Sequence, residues 1–167
     1  MTSTIEYVAG DATAPIGTGS RIIVHVCNDV GGWGAGFVLA ISRRWSLPES
    51  EYRRWHADRE RNGFGLGEVQ LVQVETELFV ANLIGQHGIR RSGLQPPIRY
   101  DAVSAGLAKV RTYAITRRAT VHMPRIGCGL AGGKWEEVEP IVEQQLTSHG
   151  VNVTIYDFVT GTKRDSR

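Results

Sequence analysis

Two runs, RIIVHVC at 21–27 and LFVANLI at 78–84, carry apolar residues at consecutive rather than alternate positions, and this restricts the fold more than any other feature of the chain. Strands of that kind meet water on neither face, so their sheet must be covered on both sides. Four more β-rich runs accompany them: IEYV at 5–8, EVQLVQV at 68–74, ATVHMP at 119–124 and VNVTIYDF at 151–158. Between the runs, apolar residues recur at steps of three or four: Val38, Ile41 and Trp45; Val103, Leu107, Val110 and Ala114; Trp135, Val138, Val142 and Leu146. Each set draws one stripe along a helix. The third helix carries Glu136, Glu137 and Glu139 near its start, where the helix dipole favours negative charge, and His149-Gly150 supplies its stop. A more polar helix is expected over 48–62. Strands alternating with helices predict an α/β domain with a mostly parallel sheet and helices on both faces.

The 167 residues suffice for one such domain, expected over 1–158, with 159–167 as a polar C-terminal tail. A formal net charge of +2 creates no strong field that demands nucleic acid or an anionic membrane. The N-terminus lacks a charged-then-apolar leader pattern, and no apolar stretch approaches the ~20 residues of a spanning helix. A cytoplasmic monomer with no membrane partner is the expectation. Cys27 and Cys128 sit beside glycine-rich or turn-forming residues and form neither a disulfide framework nor a zinc pattern with histidine, so no metal and no cofactor is expected.

Ligands of open α/β sheets gather at the carboxyl ends of the strands. Two glycine-rich segments fall there: CNDVGGWGAGF at 27–37, after the strand ending at Cys27, and RIGCGLAGGKW at 125–135, after the strand ending at Pro124. Glycine lets a ligand approach main-chain N–H groups with no side chain in the way, and a loop that opens a helix attracts an anion. Two such loops on neighbouring strand ends suit a diphosphate; the plain alternative is that they only make tight turns. Neither matches GxxxxGK[ST], which makes a P-loop nucleotidase a poor fit; GCGLAG at 127–132 has the bare GxGxxG spacing, which on its own is a weak sign of a dinucleotide dehydrogenase. The segment HGIRRSGLQPPI at 87–98 has the length of a functional loop.

In this order, IEYVAGDAT (5–13), HVCNDVGGWGAGF (25–37) and MPRIGCGL (123–130) resemble the macrodomains, a family that binds ADP-ribose. The resemblance runs from about Ile5 to Phe158 and is nearest to the branch of the terminal ADP-ribose protein glycohydrolase and the yeast-type ADP-ribose-1″-phosphate phosphatase. It implies a three-layer α/β/α fold around a mixed, mostly parallel sheet of about six strands. It also implies a set of ligand contacts. Asp11, with Ala12, would take the adenine amino group; Asn28, Gly32, Trp33, Gly34, Ala35 and Gly36 would wrap the distal ribose and diphosphate together with Pro124, Arg125, Ile126, Gly127, Cys128, Gly129 and Leu130; Phe158 would offer a ring to the adenine. The partners implied are ADP-ribose and ADP-ribosylated proteins, with nucleic acid only where its ends carry ADP-ribose.

Read one by one, several of these residues have two uses. Asp11 suits the adenine or caps a turn. Asn28 suits a ribose hydroxyl or opens the loop as an Asx-turn. Trp33 walls the ribose or is buried against the following helix. Arg125 meets phosphate or pairs with an acid, and Phe158 stacks or packs. In the related glycohydrolase a lysine and an aspartate do the chemistry, and their positions hold Gln86 and Ala131 here. Glutamine has no nucleophilic amine, so a lysyl intermediate is closed. Catalysis would then rest on water, with Asn28, Asp29, Gln86 and His87 as the residues near it. His25 in HVCN resembles a phosphatase histidine, and Cys128 would need a base for nucleophilic work. Three functions stay open: a hydrolase removing ADP-ribose from carboxylate side chains, a non-catalytic reader, and an ADP-ribose-1″-phosphate phosphatase.

Overall fold

Strand β2 (Arg21–Asn28) stands inside the sheet and explains the consecutive apolar residues. Ile22 and Val24 enter one hydrophobic core while Ile23 and Cys27 enter another on the opposite face. The computed structural model describes residues 3–91 and 93–158, so the expected tail at 159–167 lies outside the described residues. The other strands are β1 (Ile5–Ala9), β3 (Val69–Glu75), β4 (Leu78–Gln86), β5 (Thr120–Met123) and β6 (Val153–Asp157). The six strands lie in the order β1-β6-β5-β2-β4-β3. All neighbours are parallel except β3, which runs antiparallel to β4. Only two residues, Thr76 and Glu77, join that pair, and Glu77 takes a positive φ of 59°; so short a link permits only a hairpin.

Helices α4 (Tyr100–Arg117) and α5 (Trp135–Gln145) cover one face, burying Val103, Leu107, Val110, Ala114, Val138 and Val142 as the stripes predict. Helices α1 (Phe37–Arg44) and α2 (Leu47–Ala57) cover the other, where Ile41 and Tyr52 are fully buried. The polar helix expected over 48–62 divides at Asp58 into α2 and a short α3 (Arg59–Asn62). Helix α5 also stops before its expected end. Leu146 leaves helical geometry, and the Gly150 stop, at φ +83°, closes a separate 3-10 turn, Thr147–His149. Trp45 falls one residue beyond α1 and packs against the second core. No helix among the described residues is long and apolar enough to cross a membrane.

Helix α4 approaches the sheet so closely that a Cβ on Gly106 would lie 2.5 Å from Leu83 Cγ, with both Leu83 methyls also inside 3.0 Å. Gly106→Ala adds up to about 1 kcal/mol of helix propensity but overpacks a buried leucine at about 1–3 kcal/mol. The expected net result is a loss of about 1 kcal/mol, read as a lower urea midpoint with an unchanged slope.

Candidate functional site

The carboxyl ends of β2, β5 and β6 open into one cleft with three compartments. A cavity of about 530 Å³ lies between the β1–β2 connection and α1, lined by Asp11, Ala12, Thr13, Arg44, Tyr156 and Phe158. Phe37 and Pro124 also line it and pass it on to a central cavity of about 400 Å³, bounded by Ala35, Gly36, Ile126, Gly127, Gly129 and Leu130. Val26, Ala35, Val38, Gln86 and Leu130 then lead to a third space of about 320 Å³ that reaches Asn28, Gly32, Gly34 and Ile89.

Main-chain geometry makes the central compartment receptive to anions. Gly36 precedes α1 with φ 84° and ψ −151°, a conformation that belongs to glycine, and the first N–H groups of the helix follow it without intrahelical acceptors. Among the described residues, the amides of Gly34, Ala35 and Gly36 have no hydrogen-bond acceptor, and neither do those of Gly129, Leu130 and Ala131. The second loop is shaped by bonds from Cys128 N to Arg125 O (3.3 Å), Gly132 N to Gly129 O (3.0 Å) and Gly133 N to Gly127 O (2.7 Å). Gly127 has φ +73°, and a Cβ there would lie 2.4 Å from Ile98 Cδ1, so no larger residue fits. Gly34 and Gly129 differ: a Cβ on either meets nothing within 4 Å, and both line the cleft. Leu130, 70% exposed, reaches across from the second loop towards Gly36.

At the first compartment, Asp11 caps a turn and also lines the cavity. Its Oδ1 accepts bonds from Thr13 N (2.9 Å) and Thr13 Oγ1 (2.7 Å), closing an Asx-turn. Oδ2 is left with a 3.5 Å contact to Arg44 Nη2. Burial works to raise the carboxyl's pKa, but the Thr13 bonds and the Arg44 guanidinium together hold it below its ordinary value, so the group is an anion with one oxygen to offer. Phe158 is 68% exposed at the rim, a ring presented rather than packed.

At the far end Asn28 builds the loop. Its Oδ1 accepts from Val30 N (3.0 Å), Gly32 N (2.9 Å) and Tyr52 Oη (2.9 Å), while its Nδ2 donates to Gly32 O (3.0 Å). The Asx-turn is thus realised, and the Gly32 amide is already engaged. Asp29 and His87, 58 positions apart in sequence, meet: His87 Nδ1 lies 2.7 Å from Asp29 Oδ2, and Gly88 N donates to Asp29 Oδ1 at 2.8 Å. A carboxylate only accepts, so Nδ1 carries a proton, and it is the neutral form of the ring that keeps a lone pair on Nε2. The Asp29 side chain is 16% exposed and that of His87 61%; neither residue lines the three compartments, though their chain neighbours Asn28 and Gln86 do. Gln86 lines the interior and donates from Nε2 to Gly88 O at 3.0 Å.

Other expectations need correction. Trp33, placed at the ribose wall, is 3% exposed in the second core; its Nε1 donates to Ser42 Oγ at 2.7 Å, and its ring meets His25 edge-on. Arg125, placed on phosphate, turns its guanidinium to Asp157 in a two-pronged pair of 2.7 and 3.0 Å, over the rings of Tyr7 and Trp135. The residue also lines the central cavity. Cys128 packs towards the first core, and burial raises its thiol pKa, the wrong direction for a nucleophile. His25 is fully enclosed, its pKa pushed down to about 4 by burial. Its Nε2 donates to Asn82 Oδ1 at 2.6 Å, because Asn82 Nδ2 is committed to Pro48 O and Gln70 Oε1. Sequence reasoning missed Tyr52, whose hydroxyl also donates to Asn28 O at 2.6 Å, and Arg44, which donates from Nε to Thr13 Oγ1 at 2.7 Å. Both sit among polar helix residues, and no spacing marks them.

No family model matches the sequence. The mouse chromodomain-helicase-DNA-binding protein 1-like is 30% identical over 99% of this chain, which spans only 19% of that protein's length. An ADP-ribose 1″-phosphate phosphatase of Lodderomyces elongisporus is 27% identical, covering 92% of this chain and 99% of its own. The bovine ADP-ribose glycohydrolase OARD1 is 25% identical over 92% of this chain and 91% of its own. Among solved structures, a macrodomain protein from Streptomyces coelicolor is 55% identical and superimposes with a TM-score of 0.84 over 92% of this chain and 99% of that one. Identity at that level, over almost the whole of a macrodomain protein with the same sheet and helices, means that this chain belongs to the macrodomain family.

Proposed function

We propose that this macrodomain binds ADP-ribose along the cleft and releases it from carboxylate-linked ADP-ribosylated proteins by attack of water. The observation that carries the reading is the pair of glycine loops with open amides facing one central compartment, flanked by an anionic adenine-side residue and a sugar-side pocket. The named phosphatase and glycohydrolase relatives support a hydrolytic activity on an ADP-ribose derivative. In the reaction, water oxygen bonds to C1″ of the distal ribose and the bond from C1″ to the protein's carboxylate oxygen breaks. Carboxylates have ordinary pKa values near 4, so this leaving group departs without a proton. The loss of the glycohydrolase's lysine and aspartate, at Gln86 and Ala131, therefore leaves the reaction feasible. His87 Nε2 takes the water's proton, Asp29 holds the imidazole, and Gln86 orients the water or a ribose hydroxyl.

A non-catalytic reader would use the same cradle, and the exposure of His87 favours it. The phosphatase reading loses support because His25 is neutral and enclosed at neutral pH, and the one proton of its ring is committed from Nε2 to Asn82. Incubation with a glutamate-ADP-ribosylated protein, and separately with ADP-ribose 1″-phosphate, distinguishes the three by the product released: free ADP-ribose, nothing, or phosphate.

Gly34→Val and Gly129→Glu should each abolish ADP-ribose binding by calorimetry with the melting temperature unchanged, since both positions face open space. Asp11→Ala should weaken ADP-ribose about tenfold by removing one charged hydrogen bond and leave ribose phosphate affinity as it was. His87→Ala and Asp29→Asn should slow release of ADP-ribose by about 10²–10⁴ while Kd moves less than about threefold; equal losses in Kd would reject the proton-transfer role.

A further inference from the structure

Helices α1 and α2 cover only the β2–β4–β3 half of their face. Over β5 and β6 that face is covered by the β1–β2 connection, residues 10–20, in which Ala12, Thr13 and Pro15 are buried. No helix anchors this stretch, so side chains must. Arg21 Nη1 donates to Pro15 O at 2.8 Å, Arg44 Nε reaches Thr13 Oγ1, and Ile16 N donates to Tyr156 Oη at 3.0 Å.

The last of these anchors continues into the sheet. Tyr156 Oη lies 2.7 Å from His122 Nδ1, and His122 Nε2 lies 2.7 Å from Thr120 Oγ1. Ile16 N can only donate, so among the described residues the one acceptor open to the Tyr156 hydroxyl proton is His122 Nδ1; His122 then carries its proton on Nε2, where Thr120 accepts it. Both rings are 3% exposed. Burial, with Arg21 nearby, pushes the His122 pKa down to about 4, so the acceptor state persists at neutral pH. Tyr156 also forms part of the wall facing Asp11, and its ring approaches Gly10.

We propose that His122 is a positioning residue for recognition of the purine: by fixing the Tyr156 hydroxyl it holds the 10–20 connection, and so Asp11, where the exocyclic amino group of the base arrives. This rests on the ADP-ribose reading and extends it to a residue outside the cleft. The alternative role, plain core stability, would affect every ligand equally.

The experiment compares ADP-ribose with its hypoxanthine analogue, which carries a carbonyl in place of the amino group, by calorimetry. The wild-type protein should prefer ADP-ribose by about tenfold or more, since a carboxylate cannot pair with that carbonyl. Tyr156→Phe and His122→Phe should reduce the preference to less than about threefold and accelerate hydrogen exchange of the Ile16 amide. His122→Asn, whose Oδ1 stands in for the Nδ1 acceptor, should restore both. If His122→Phe does not fold, Tyr156→Phe, which removes one hydroxyl, carries the test. An unaltered preference in Tyr156→Phe, an equal weakening of both ligands, or a wild-type protein that does not distinguish them overturns the inference. Wild-type protein that binds neither nucleotide defeats the ADP-ribose reading itself, and this inference falls with it.

Discussion

One carboxamide organises the glycine loop that follows β2. Asn28 ends β2, and its Oδ1 gathers two loop amides and the Tyr52 hydroxyl at once. A glycine-rich loop loses much conformational entropy on ordering, and these bonds, made at the lip of a rigid strand, offset that loss where it arises. Tyr52 in turn is fixed by its place in the second core, so α2 locks the loop from behind, and Arg53 of the same helix donates from Nη1 to Gly31 O at 3.1 Å. The open amides of Gly34, Ala35 and Gly36 follow from this arrangement: the loop's turn is closed by a side chain, and its main chain is left for something else.

The same economy runs through the cleft. At Asp11 one oxygen serves the fold and the other faces the cavity. At Arg125 the charge pairs with Asp157 and lies over two rings, while the residue also borders the central compartment. The compartment is therefore made receptive to an anion by backbone dipoles and a helix terminus, without a dedicated cationic side chain pointing into it from that loop. Such dipoles are fixed by the strands that carry them, which keeps the site's polarity independent of flexible side chains.

Much of the fold was legible because periodicity and burial agree. The strand runs at 21–27 and 78–84, and the stripe at Val103, Leu107, Val110 and Ala114, emerge nearly residue for residue. The mixed sheet and the glycine loops at its strand ends were legible too. What the sequence could not convey was direction. Trp33 lies among glycines, where a large ring suggests a pocket wall, yet the loop's path turns it inward to His25 and Ser42. Arg125 precedes a glycine turn, and only the register of β6 reveals that Asp157 waits beside it. The meeting of Asp29 with His87 depends on β2 and β4 being neighbours, a long-range fact that no local pattern records.

Leu130 spans the gap between the two glycine loops. Its methyl lies 3.3 Å from where a Cβ on Gly36 would stand, so the two glycine loops all but touch above the central compartment. An occupant as broad as a sugar phosphate that crossed this point would need the isobutyl group to swing aside, a rotation that exposed side chains complete in picoseconds to nanoseconds. The passage is thus narrow in the time average and still permeable on the timescale of diffusion, with no breathing of the sheet required for traffic through it.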